Sequence, residues 1–225
     1  MSKSKYNVIN PDQICNDYGA DTLRLYEMFL GPIEQAKPWN TAGISGTHSF
    51  LKKFWNLFHS TGEFYVNDND PSKESLKILH KTIKKIEEDI NNFSLNTSVS
   101  AFMICVNELS SEKCNNLHIL KKLTVLLSPF APHICEEIWR KLGNSNTISF
   151  EPFPVFNPEF VKESSFEYPV SFNGKMKFKL NLEASMGVEE IKNTLQEDQR
   201  LEKYLNLREI KKIIVVPGKI INIVC

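Results

Sequence analysis

Between Ser72 and Phe93 the apolar residues Leu76, Leu79, Ile83, Ile86, Ile90 and Phe93 alternate steps of three and four. That spacing predicts one long helix over 72–93 with a heptad seam along a single face. Such a seam is stable only when other helices cover it, so the chain around it is expected to supply a bundle. Lys77, Lys81, Lys84 and Lys85 come before Glu87, Glu88 and Asp89 on the same helix. This order opposes the helix dipole, which favours acids early and bases late. The basic half is then either an ordinary surface or a face turned to an anion.

The neighbouring segments supply the partners. Asn10-Pro11-Asp12-Gln13 reads as a helix start, with Asn10 at the N-cap, Pro11 at the first helical position and Gln13 placed to reach back. A helix over 21–30 turns Leu23, Tyr26, Phe29 and Leu30 to one side and stops at Gly31-Pro32. A stronger one over 44–60 carries the stripe Ile44, Leu51, Phe54, Trp55 and Phe58, leaving Ser49, Lys52, Lys53 and Asn56 off it. Helices over 96–109 and 117–127 follow, then one opened by Pro132 and ended by Gly143. Residues 144–165 are polar and punctuated by Pro152, Pro154 and Pro158, the composition of a semi-rigid linker.

Beyond the linker the period drops from 3.6 to two. Val170-Ser171-Phe172, Asn173-Gly174 and Lys175–Leu182 form a hairpin pattern with a favoured two-residue turn. Met176, Phe178, Leu180 and Leu182 are expected on one face, with Lys175, Lys177 and Lys179 as a row without an acid among them on the other. Short helices over 188–195 and near Leu201–Leu205 precede a second hairpin around Pro217-Gly218. The expected fold is therefore mainly α: a helical bundle followed by a small α+β C-terminal domain. Its expected divisions are 1–42, 43–144, a linker over 145–166, and 167–225.

Composition excludes some functions and leaves others open. Lys+Arg 27 against Asp+Glu 27 cancel, so only local patches can argue for nucleic acid. No apolar run approaches the ~20 residues of a membrane span. Cys15, Cys105, Cys114, Cys135 and Cys225 are scattered without a Cys-x-x-Cys pair, which suits a reduced cytoplasm and offers no metal site.

Three groups of residues are candidates for chemistry. Ser2, Lys3 and Ser4 offer hydroxyls and charge just ahead of a helix start, a setting that suits a polyphosphate; a plain basic tail looks the same. Lys52 and Lys53 sit on a solvated helix face. Lys175, Lys177 and Lys179, with Lys211, Lys212 and Lys219 around the second hairpin, either keep a strand face soluble or meet phosphates. Trp39 packs on the bundle or stacks on a base, and His133 reads as a structural hydrogen-bonder.

Met1-Ser2-Lys3-Ser4-Lys5, with Asn7-Val8-Ile9-Asn10-Pro11-Asp12 and Tyr18-Gly19-Ala20-Asp21-Thr22-Leu23-Arg24, resembles the second signature loop of class I aminoacyl-tRNA synthetases. Leu127-Ser128-Pro129-Phe130-Ala131-Pro132-His133-Ile134, running on to Glu136-Glu137-Ile138-Trp139, resembles the last helix of the class Ia anticodon-binding bundle. His80–Lys85, Asn96–Ala101 and Val106–Leu109 extend that likeness. Tyr26–Pro32 and Lys37-Pro38-Trp39 are nearest the leucine-specific members, as are Tyr168-Pro169-Val170, Asn173-Gly174-Lys175 and Val215–Lys219 of the tail. The family's lysine before the methionine has no counterpart, its glycine is Tyr6 here, and its frequent arginine is Lys177, which keeps the charge but not a bidentate grip.

The resemblance implies ATP, with magnesium, at Ser2, Lys3 and Ser4 in the full enzyme, Lys3 stabilising the charge on departing pyrophosphate. It implies none bound by this chain alone. It implies leucine tRNA at Lys52, Lys53 and the six tail lysines, and a monomer joined to a nucleotide-binding domain absent from these residues. The chain alone is then not expected to activate leucine. A free-standing RNA-binding module without catalysis and a purely structural bundle are the alternatives.

Overall fold

Ser72 Oγ accepts from the Ser75 amide at 3.0 Å and starts the longest helix of the chain. This computed structural model describes residues 8–162, 165–205 and 209–225. The chain divides into two compact units, Met1–Val161 and Lys162–Cys225.

In the first unit, α1 (Pro11–Tyr18) and α2 (Ala20–Phe29) lead to α3 (Ile44–Asn56). A two-stranded hairpin, β1 (His59–Ser60) and β2 (Glu63–Phe64), then precedes α4 (Lys73–Asn91), α5 (Leu95–Ser111), α6 (Leu117–Leu127) and α7 (Pro132–Lys141). Leu79, Ile83 and Ile86 of α4 are fully buried and pack with Phe102 and Leu109 of α5 and Leu120 and Leu123 of α6. Each such side chain contributes roughly 1.5–3 kcal/mol by leaving water.

The structure corrects two expectations here. The α4 seam does not run to Phe93: the helix ends at Asn91, Phe93 is 67% exposed, and its φ is 54°. The helix over 44–60 stops at Asn56, because Thr61 and Gly62, both at positive φ, turn the chain into β1–β2. The proline-punctuated stretch packs on the bundle as far as Val161. Trp139 Nε1 donates to Asn146 O (3.1 Å), Glu136 Oε2 accepts from Ile148 N (3.0 Å), and Ile148 enters the core. Further along, Asn157 N donates to His80 Nδ1 (3.1 Å) and the Phe160 ring lies 4.7 Å from the His80 ring.

The second unit is a four-stranded sheet with two helices on one face. β3 (Ser165–Phe172) and β4 (Lys175–Glu183) form the first hairpin, α8 (Val188–Gln196) and α9 (Gln199–Leu205) follow, and β5 (Lys212–Val216) and β6 (Ile220–Val224) form the second. The strand order is β4-β3-β6-β5, with β3 and β6 parallel at the centre. Asn173 and Gly174 both take positive φ (47° and 82°), the two-residue turn whose twist matches its strands. Tyr168, Val170, Leu180, Leu182, Ile221 and Ile223 close a separate core against Ile191, Leu195 and Leu201.

Candidate nucleic-acid interface

Burial of Ile44, Thr47, Phe50, Leu51 and Phe54 on one side of α3 leaves Lys52 and Lys53 exposed on the other. The two lysines are not equivalent. Lys53 Nζ donates to Asn107 Oδ1 of α5 at 2.9 Å, whereas Lys52 makes no ion pair among the described residues. Lys52 borders a cleft of about 490 Å³ between α2, α3 and α7, together with Tyr18, His48, Trp55, Asn56 and His133. None of these five was singled out for binding from the sequence. The available signal was His48, Lys52 and Asn56 at steps of four, one face of one helix.

A single acid orders the floor of that cleft. Asp21, 6% exposed, accepts from His133 N (3.3 Å) and His133 Nδ1 (2.8 Å) at one oxygen and from Ile134 N (2.7 Å) at the other. These are the orphan amides at the start of α7, so a carboxylate from α2 caps a helix far along the chain. His133 is the structural hydrogen-bonder that its position suggested. Trp39 packs edge-on against Tyr26 (5.2 Å between ring centroids) and donates to Thr41 Oγ1 at 2.9 Å.

In the second unit Phe178, Leu180 and Leu182 are buried toward the helices, which turns Lys179 to the open face. One expectation changes. Met176 is 58% exposed instead of inward, because the register slips between Val170 and Ser171 and breaks the alternation near Lys177. Within the lysine row, Lys179 Nζ lies 2.6 Å from Glu167 Oε2 of the neighbouring β3. Lys177 Nζ stands 6.0 Å over the Tyr204 ring. Arg200, held by Asp198 at 2.6 Å, lies over Phe178 and donates to Lys179 O. The Arg200 guanidinium bonded to Asp198 holds that carboxyl below its usual range.

Lys211, Lys212 and Lys219 are all exposed. Lys212 begins β5, at the sheet edge opposite β4. The structure therefore places Lys175, Lys177 and Lys179 on one edge strand and Lys212 on the other, with Lys211 just before β5 and Lys219 in the β5–β6 turn. Ser2, Lys3 and Ser4 lie outside the described residues. Among the described residues there is no group of three or more His, Cys, Asp or Glu placed for a metal, and no helix long and apolar enough to cross a membrane.

A helical bundle followed by a small α+β unit, each with lysines on exposed faces, offers the kind of surface that a nucleic-acid-binding protein uses. Residues 72–192 match the family model described as the anticodon-binding domain of tRNA ligase, over half of the chain, and the chain belongs to that family. It is similar over 100% of its length to leucine-tRNA ligases. That from Christiangramia forsetii is 61% identical, with 23% of the relative covered. That from Flavobacterium psychrophilum is 59% identical, again with 23% covered. The Bacteroides thetaiotaomicron enzyme is 53% identical, with 24% covered. The chain thus spans about a quarter of the length of these relatives. A solved structure, the ternary complex of Agrobacterium radiobacter LeuRS with tRNA and LeuAMS, matches with a TM-score of 0.76 at 27% identity. It covers 100% of this chain and 31% of that one.

Proposed function

We propose that this chain is the tRNA-binding part of a leucine-tRNA ligase, gripping the backbone of leucine tRNA through Lys52 and Lys53 of the bundle and the lysines of the sheet. The observation that carries the reading is 61% identity to such a ligase over the whole chain. Exposed lysines on both units support it, since ammonium groups facing solvent release counterions from phosphates without first breaking a buried contact. The ligase activity of a longer protein, joining leucine to its tRNA with ATP and magnesium, belongs to the same proposal, as do a monomeric state and a cytoplasmic location. Its ATP contacts attach to Ser2, Lys3 and Ser4, and no step is derived through them.

The test is the affinity of the chain for leucine tRNA and for an unrelated tRNA at two salt concentrations. The expected result is tighter binding of leucine tRNA that weakens with salt, each phosphate contact adding about 0.9 to the logarithmic slope. Equal affinity for both RNAs, or binding indifferent to salt, overturns the reading. Pyrophosphate exchange by this chain alone is expected at background; exchange above it overturns the assignment of activation to residues outside the chain.

A further inference from the structure

We propose that the cleft between α2, α3 and α7 holds one nucleotide of the bound RNA, its phosphate at Lys52 and its base against Tyr18 and Trp55. The inference rests on the tRNA-binding reading and adds a site to it. At about 490 Å³ the cleft has the size of small-ligand sites in general, and its walls combine an apolar surface with few polar groups.

The hydrogen bonds fix what those polar groups offer. Thr22 Oγ1 donates its one hydrogen to Tyr18 O at 2.7 Å. At the 3.4 Å contact between Thr22 Oγ1 and His48 Nδ1, the imidazole must therefore be the donor. That tautomer leaves His48 Nε2 as an acceptor, suited to a ribose hydroxyl or a base N–H. His133 Nδ1 likewise donates to Asp21, and the side chain is otherwise 72% exposed, so its Nε2 edge is a second acceptor open to a ribose hydroxyl. Among the described residues Asp21 is the one acid lining the cleft, and both of its oxygens already accept.

Lys52 thus meets no competing carboxylate among the described residues there. The ring of Trp55 is braced by His59 at 4.7 Å, and Tyr18 lies edge-on to His48 at 5.8 Å. Fixed aromatic groups beside an unpaired ammonium suit a base with its phosphate. An apolar peptide would leave Lys52 and both imidazoles unmatched.

The experiment uses thiouridine-substituted leucine tRNA, photocrosslinked to the chain, with adducts located by mass spectrometry. Salt slopes of Lys52→Ala and of Lys52→Ala/His133→Ala are measured alongside. The expected result is an adduct on Tyr18 or Trp55 and a slope reduced by about one in Lys52→Ala. Lys52→Ala alone keeps the test valid if removing the His133 ring loosens α7. Intact tRNA binding with adducts confined to the second unit and an unchanged slope overturns the cleft and leaves the proposed function standing. Absence of any tRNA binding overturns both.

Discussion

Both carboxylate oxygens of Asp21 are engaged by α7, and the residue is nearly inaccessible to water. Its truncation leaves the first amides of that helix without an acceptor, and each unsatisfied buried group costs about 1–3 kcal/mol. Asp21→Ala should therefore destabilise the first unit by about 2–3 kcal/mol in urea unfolding, and Asp21→Asn, which keeps one acceptor, by less. A loss within about 0.5 kcal/mol, typical of a surface change, would sink this account of the cap. His80 makes the opposite kind of contact. Its Nδ1 accepts from Asn157 N, so the proton sits on Nε2, which is buried without a partner. Burial, and secondarily the charge of Lys122, lower its pKa from the ordinary 6.5. With the folded value below the unfolded one, the stabilisation is complete above the unfolded pKa and is lost as pH falls from there toward the folded value. Unfolding free energy should drop as pH falls below the ordinary histidine value of about 6.5, and His80→Gln should flatten that slope against the background of the other histidines. An identical slope in the variant would remove His80 from the explanation.

At the scale of elements, the sequence is most readable where spacing alone decides. The interior of α4, the hairpin turn at Asn173-Gly174 and the stop at Gly143 all follow from residues whose preference matches their place. Helix ends are where it fails. Three helices close with the same pair of bonds. Ser94 N donates to Asp89 O and Phe93 N to Ile90 O, Cys114 N to Leu109 O and Lys113 N to Ser110 O, and Asn144 N to Trp139 O and Gly143 N to Arg140 O. The left-handed residue is glycine only in the last; in the others it is Phe93 (φ 54°) and Lys113 (φ 51°), which carry no stop signal. Lys113→Gly should relieve that strain and raise stability by about 0.5–1 kcal/mol, visible as a shift in urea midpoint. A lower midpoint would mean that the entropy of the unfolded chain outweighs the strain. The cleft was hidden for another reason. Lys52 was visible on α3, but Asp21 and His133 meet only through folding, and no local pattern pairs residues so distant in sequence.

For the molecule as a whole, the arrangement of charge matters more than its sum. Net charge is zero, yet the sheet carries lysines on both of its edges. Three strand spacings of about 4.8 Å place the β4 and β5 sets roughly 14 Å apart. That exceeds the roughly 10 Å screening length at about 0.1 M salt and the range within which substitutions usually couple. Losses in tRNA affinity from Lys175→Ala/Lys177→Ala/Lys179→Ala and from Lys211→Ala/Lys212→Ala should therefore add, within about 0.5 kcal/mol, in the combined variant. A combined variant no weaker than the first alone would mean that only the β4 edge meets RNA. The pairing of Lys179 with Glu167 sharpens the test, because an ammonium held at 2.6 Å by a carboxylate is partly withdrawn from a phosphate. Exposed pairs of this kind are worth only about 0–1 kcal/mol, so an RNA phosphate competes successfully for the lysine. Glu167→Gln should then tighten tRNA binding by up to about fivefold at low salt, with the gain fading as salt rises. Weaker binding in that variant would show that the pair orients Lys179 instead of occupying it, and would move the contact to Lys175 and Lys177.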